Sequence, residues 1–144
     1  MPVTTEIIAR AVIRRAGRVL VATPVGEAWC FLPGGHVEPG ERVESALVRE
    51  LAEELGAEAR IVRLIGVVEN RYVDRAGLHH ELNLVFDVDM PDADPISREE
   101  HLTFSWLSLE DVSEMEVRPE ALWKALLAAE REESCLPFWS ARDD

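Results

Sequence analysis

Between Gly34 and Ala57 the chain reads GGHVEPGERVESALVRELAEELGA. Its reactive side chains are mostly carboxylates: Glu38, Glu41, Glu44, Glu50, Glu53 and Glu54, with Arg42 and Arg49 among them. On a helix at about 100° per residue, Glu50, Glu53 and Glu54 fall within an arc of roughly 100°. Leu47 and Leu51 sit beside that arc, on the stripe expected to face a core, so the carboxylates belong at the core's edge. Like charges so spaced destabilise an isolated helix by about a few tenths of a kcal/mol per pair. A solvated helix face tolerates such a cluster. A site for a hard divalent cation needs one, because Mg²⁺ prefers carboxylate oxygens and bridges them to phosphate groups.

The flanking sequence supplies elements to hold this helix. Residues 6–22 read as two strands turned at Ala16-Gly17, and EAWCFLPGG as a short aromatic strand stopped by Pro33 and two glycines. Val43, Leu47, Leu51 and Leu55 recur every four residues, and a helix from Glu41 to Leu55 is expected to end at Gly56 in a left-handed conformation. ARIVRLIGVVENRYV and HELNLVFDVDM are β-rich runs separated by DRAG, PDADPISREE is a loop by composition, and LTFSWLSL is a further strand. RPEALWKALLAAEREE reads as an amphipathic helix with Pro119 near its first turn. The tail CLPFWSARDD carries two aromatics that would pack on the core or on a second subunit. Strands bracketing one early and one late helix make the class α/β in the α+β sense. With no repeat and no linker, residues 1–144 are expected to form a single domain.

Composition narrows the function. Hydrophobic residues make up 47% and charged residues 30%, as in ordinary globular proteins. A net charge of −13 opposes binding to nucleic acid. It admits an anionic substrate only where cations first neutralise the acidic site. Cys30 and Cys135 are distant and unpaired with other metal-ligand residues, so both read as thiols in a reducing setting. Neither a signal-peptide pattern nor a long apolar span is present, and the expected location is cytoplasmic, away from membranes.

The carboxylate spacing is also that of a signature, G-x5-E-x7-R-E-U-x-E-E-x-G-U, where U is a bulky aliphatic residue. Gly35, Glu41, Arg49, Glu50, Leu51, Glu53, Glu54 and Gly56 all match it, and only Ala57 is small for its position. This segment is similar to the Nudix box, and the chain resembles the Nudix hydrolases (MutT-like). The lead-in WCFLPGGHVEPGE, and TFSWLSLEDV followed by RPEALWKALL, look like the family's strand-loop entry and its late strand and closing helix.

The resemblance implies an α/β/α sandwich around a mixed sheet. It further implies hydrolysis of the diphosphate bond of a nucleoside diphosphate linked to another group, with Mg²⁺ or Mn²⁺. By motif position, Glu53 and Glu54 would be principal metal ligands, and Glu50 a further ligand or the base that orients the attacking water. Arg49 would pair with Glu41, and the Gly34 carbonyl would complete the metal shell. Many family members add a downstream acid, for which Glu99 and Glu100 are the candidates, Glu100 foremost.

Substrate choice lies outside the box. The proline spacing of ADP-ribose hydrolases, an SQPWPFP-like motif and a CoA-type motif are all missing. Tyr72, the only tyrosine, lies near the tyrosine position of diadenosine-polyphosphate hydrolases without matching it. Trp29 is a candidate base-stacking residue, and Arg71, His80 and Asn83 are candidate contacts to phosphate or base on strands facing the pocket. Core packing for Trp29 and Tyr72, and a surface hairpin pair for His79 and His80, are the plainer alternatives. Two other functions stand beside hydrolysis of a nucleotide. A nucleotide-binding sensor would be expected to lose box carboxylates, which this chain keeps. A non-nucleotide diphosphate substrate such as an inositol diphosphate calls for a basic pocket, and the chain has a single lysine, Lys124. A homodimer is expected from family habit, with Phe138-Trp139 as an interface element.

Overall fold

The computed structural model describes residues 3–91, 96–130 and 138–140. The first strand, β1 (Thr5–Val12), lies inside the main sheet. Ile8 and Ala9 are both buried although they point to opposite faces, as a strand covered on both sides requires. It runs parallel to β7 (Gly77–Asp89) and antiparallel to the short β5 (Gly34–His36). Beyond β7 lies β6 (Arg60–Asp74), antiparallel to it, and on its far side β10 (Phe138–Ser140), parallel to β6. The five strands form one mixed sheet, β10-β6-β7-β1-β5. A second, antiparallel sheet joins β2 (Arg14–Arg15), β3 (Arg18–Pro24) and β8 (Leu102–Ser108).

The early turn falls at Ala16 and Gly17 as read from sequence, and both have positive φ. EAWCFLPGG is not one strand. Trp29–Cys30 form β4, which pairs in parallel with β9 (Glu116–Val117), Phe31 bridges to Ala22, and β5 starts after Pro33. Pro33 has no N–H to offer a ladder, so the chain changes partners there. DRAG is the turn of a long hairpin: Asp74 pairs with Gly77, and the Asp74 carboxylate accepts from the Ala76 N–H at 2.8 Å. β7 therefore begins at Gly77, three residues before the run at His80.

Helix α1 (Val43–Leu55) packs Leu47, Leu51 and Leu55 onto Ala9, Ala11 and Phe86 of the main sheet. The small alanines let it lie close. It ends at Gly56, with φ 62°, whose N–H donates to the Ala52 carbonyl at 2.8 Å. It starts at Val43 rather than Glu41, because Glu38–Glu41 form a turn with Gly40 at φ 83°. The opposite face of the sheet is covered by α2 (Leu109–Ser113) and α3 (Glu120–Glu130), through Val112, Leu122 and Leu126 against Val12, Val68 and Val85. Two apolar layers on one mixed sheet give the α/β/α arrangement expected. The Cys30 thiol is buried, while Cys135 lies outside the described residues.

Candidate active site

The carboxylates meet the glycines where α1 crosses β5. A Cβ on Gly34, at φ 139°, would collide with the Ala9 carbonyl of β1, so only glycine lets β5 lie this near its neighbour. A Cβ on Gly35 would stand 2.5 Å from the Glu50 carboxyl carbon. The glycine pair thus leaves room for α1 to present acids directly against bare backbone.

Glu54 is buried at 6% exposure, and its Oε2 accepts from the Gly34 N–H at 3.3 Å. Burial pushes its carboxyl from the usual 4.5 up to about 8, and the Glu50 and Glu99 charges push the same way. The Gly34 N–H and Arg10 oppose the rise. Burial also raises the half-buried Glu50, against the pull of Arg49. Glu53 is exposed on the same side of the helix.

Arg49 gathers this acidity. Its Nε and Nη2 donate to the two Glu41 oxygens at 2.8 and 3.0 Å, a bidentate pair that folds the 38–41 turn back over the helix. Nη2 also donates to the His36 carbonyl at 3.3 Å, and Nη1 donates to Glu50 at 3.1 Å and to Glu53 at 3.3 Å. Glu41 holds the Arg49 guanidinium charged well above its ordinary range, while Arg49 holds the Glu41 carboxyl below its own.

Among the described residues no three His, Cys, Asp or Glu side chains are grouped closely enough to hold a metal ion as arranged. Glu50 and Glu53 are instead turned to Arg49, and Glu54 to the Gly34 N–H. The donor set nonetheless fits a hard divalent cation. It is all oxygen, Glu50 and Glu54 repel each other, and burial already disfavours their ionised forms.

Next to the carboxylates lies a cavity of about 550 Å³, lined by Arg10, Trp29, Phe31, Tyr72 and Arg118 among others. Arg10 connects the two regions. Its Nη1 donates to the Leu32 carbonyl at 3.0 Å and its Nε to Asn83 Oδ1 at 3.4 Å. Burial lowers the guanidinium's pKa, against the charges of Glu81, Glu54 and Glu50.

Of the expected substrate contacts, Trp29 and Tyr72 line this cavity. Asn83 is fully buried and holds Arg10 in place, donating to the Val68 carbonyl at 3.3 Å, so it offers nothing to a ligand. Arg71 and His80 pair directly across β6 and β7 on the face opposite the cavity, because side chains alternate and Asn70 and Glu81 occupy the cavity face. His80 there bonds Glu69 at 2.8 Å. Of the two loop acids, Glu99 is the one whose charge raises Glu54, while Glu100 is exposed. The Arg98 N–H donates to the Glu54 carbonyl at 2.7 Å, which docks that loop on the helix end.

Sequence reasoning missed Arg10, Phe31, Asn70, Glu81 and Arg118. Arg10 carried a signal, as the one charge inside the apolar run IIARAVI. Arg118 carried none, since only the β4–β9 pairing brings it over Trp29.

An α/β/α sandwich with acids at the end of one helix, facing a glycine pair and a cleft, defines the class of the domain. The NUDIX domain model matches residues 5–128, and the chain belongs to the NUDIX family. It is 45% identical over 62 residues to the ADP-ribose pyrophosphatase of Methanocaldococcus jannaschii, covering 42% of this chain and 36% of that protein. It is 34% identical over 88 residues to the nucleoside triphosphatase NudI of Escherichia coli O81, covering 56% of this chain and 62% of that protein. The chain thus matches less than two thirds of the length of these curated relatives. Among solved structures, the MutT protein from Methanosarcina mazei Go1 superposes with a TM-score of 0.75 at 27% identity, over 90% of this chain and 96% of that one.

Proposed function

We propose that this protein is a Nudix pyrophosphohydrolase. It would cleave the diphosphate bond of a nucleoside diphosphate linked to another group, using Mg²⁺ or Mn²⁺. The observation that supports this most is the Glu50–Glu54 pair, held half-buried and buried against Gly34 and Gly35 beside a cavity that Arg10 also lines. Glu50, Glu53 and Glu54, with the Gly34 carbonyl, would hold the metal. When bound, it supplies an acidified water and offsets charge on the phosphoryl oxygens.

The chain's own residues do the rest. Arg49, fixed by Glu41, keeps Glu50 and Glu53 oriented. The glycines keep side chains out of the path of the diphosphate. Glu99 is the preferred downstream acid over Glu100, because its charge already reaches Glu54. In the reaction a water oxygen bonds to one phosphorus and the bridging oxygen leaves on the other phosphate with the bonding electrons. The water's protons pass to a carboxylate and to solvent.

Residues 1–144 are read as one domain, cytoplasmic and homodimeric. Among the described residues no helix is long and apolar enough to cross a membrane.

The test is a substrate panel with Mg²⁺ or Mn²⁺, analysed for products. Nucleoside monophosphate plus a phosphorylated partner supports the proposal. Binding of nucleotides without cleavage of any panel member would instead make the protein a sensor. Cleavage confined to non-nucleotide diphosphates would overturn the nucleotide assignment.

A further inference from the structure

The cavity has an uneven lining. Its walls are aromatic, with the Arg118 guanidinium 4.4 Å over Trp29 and that of Arg10 5.5 Å over Phe31. Its acidic member is Glu81 of β7, 9% exposed. Asn70 Nδ2 donates to Glu81 Oε1 at 3.2 Å, and Oε2 has no partner among the described residues. No buried side-chain oxygen or nitrogen among those residues lacks a hydrogen bond, so Oε2 is not sealed in. Glu81 lines the cavity, and Oε2 is the oxygen it has left to offer there. The nearby Arg10 does not occupy it, since its bonds run to Leu32 and Asn83.

Whatever Arg10 and Arg118 offer elsewhere in the lining, the carboxylate of Glu81 beside aromatic walls is itself a poor seat for phosphate. It suits a flat ring that brings N–H donors. We infer that Glu81 is the specificity-determining residue for the base: the cavity stacks a nucleobase and Glu81 accepts from its exocyclic amino group, turning away bases that present a carbonyl there. This rests on the proposed reading that the cavity takes the nucleoside. Cytosine offers an amino group where uracil offers O4, and adenine offers one where hypoxanthine offers O6. An oxygen at that position faces the carboxylate oxygen lone pair to lone pair. A well-made contact of this kind discriminates by about 10- to 100-fold.

The experiment compares kcat/KM for CTP against UTP and for ATP against ITP, with Mg²⁺ or Mn²⁺, in the full chain. The amino base should win each pair by about 10- to 100-fold. Glu81→Gln, whose amide both donates and accepts, should bring both ratios near unity. Trp29→Ala should slow both members of a pair alike and keep the ratio, because it removes stacking and leaves the acceptor. Should Glu81→Gln lose its circular-dichroism melt, Glu81→Asp takes its place, retaining the charge but withdrawing the oxygen, and both ratios should still fall. Equal rates within each pair in the parent, or ratios that survive in a folded Glu81 variant, would overturn the inference while leaving hydrolysis standing. If no nucleotide is cleaved, the same ratios are read from calorimetric binding of the same nucleotides, which separates failure of the hydrolase proposal from failure of this one.

Discussion

Replacing Glu54 with glutamine should make the metal-free protein more stable while disabling it. The carboxyl has a pKa of about 8 in the fold against a usual 4.5, so folding favours its neutral form. Its contribution is intact below 4.5 and is lost as pH rises towards 8, the sign expected when burial raises an acid. At pH 7 the penalty works out at about 3 kcal/mol, from 1.36 kcal/mol per pKa unit with the residual protonation of both states included. Glutamine keeps the size and an oxygen for the Gly34 N–H, and carries no charge. Urea unfolding at pH 7 in EDTA should therefore show a gain of about 1–3 kcal/mol, the lower values allowing for compactness of the denatured chain. Near pH 4.5 the gain should shrink almost to nothing. Saturating Mg²⁺ should stabilise the parent and leave the variant unmoved, with turnover of the variant down by about 10² or more. A variant no more stable than the parent at pH 7, or a gain that does not fade on acidification, would refute this account of Glu54.

Other perturbations probe different parts of the site. Gly35→Ala places a Cβ 2.5 Å from the Glu50 carboxyl, so a metal titration of activity should shift to higher Mg²⁺ while far-UV circular dichroism stays near the parent's. Arg49→Lys loses the two-pronged grip on Glu41, and amide exchange across residues 36–41 should quicken together with a fall in kcat. Leu51→Ala, in the fully buried seam between α1 and the sheet, should cost about 2–5 kcal/mol in denaturant unfolding. The Cys30 thiol has its pKa raised by burial, so in a Cys135→Ser background a disulfide reagent at pH 8 should label it only at the rate of unfolding.

The helix carrying the acids, its leucine stripe and its glycine end were all legible because they are local: periodicity of 3.6 and a left-handed stop need no distant partner. The Arg49–Glu41 pairing was legible from the signature, although Glu41 reaches it from a turn and not from within the helix. The substrate side was less legible. Whether Arg71 or Asn70 faces the cavity depends on a register of one residue, which alternation within a strand cannot fix without knowing which face is covered. Asn83 lies on the expected face but is fully buried and bonded to Arg10, 73 residues earlier in the chain, a depth no local pattern carries. The tail offers a similar case. Its aromatic segment suggests packing on the core or on a second subunit, while the parallel pairing of the Phe138–Ser140 backbone with β6 depends on a partner about 70 residues away.

Arg10 feels the charges of the cavity acid Glu81 and of the helix acids Glu50 and Glu54 together. One guanidinium thus sits in two electrostatic circuits. Neutralising the helix acids from outside would leave more of its field for the cavity, and a ligand drawing on Arg10 there would withdraw it from the acids. On the proposed reading, with a cation at the acids and a nucleoside in the cavity, the two affinities would be linked, and the linkage would be equal in both directions. Saturation of one place should then shift the dissociation constant at the other, which nucleotide calorimetry with and without Mg²⁺ would read.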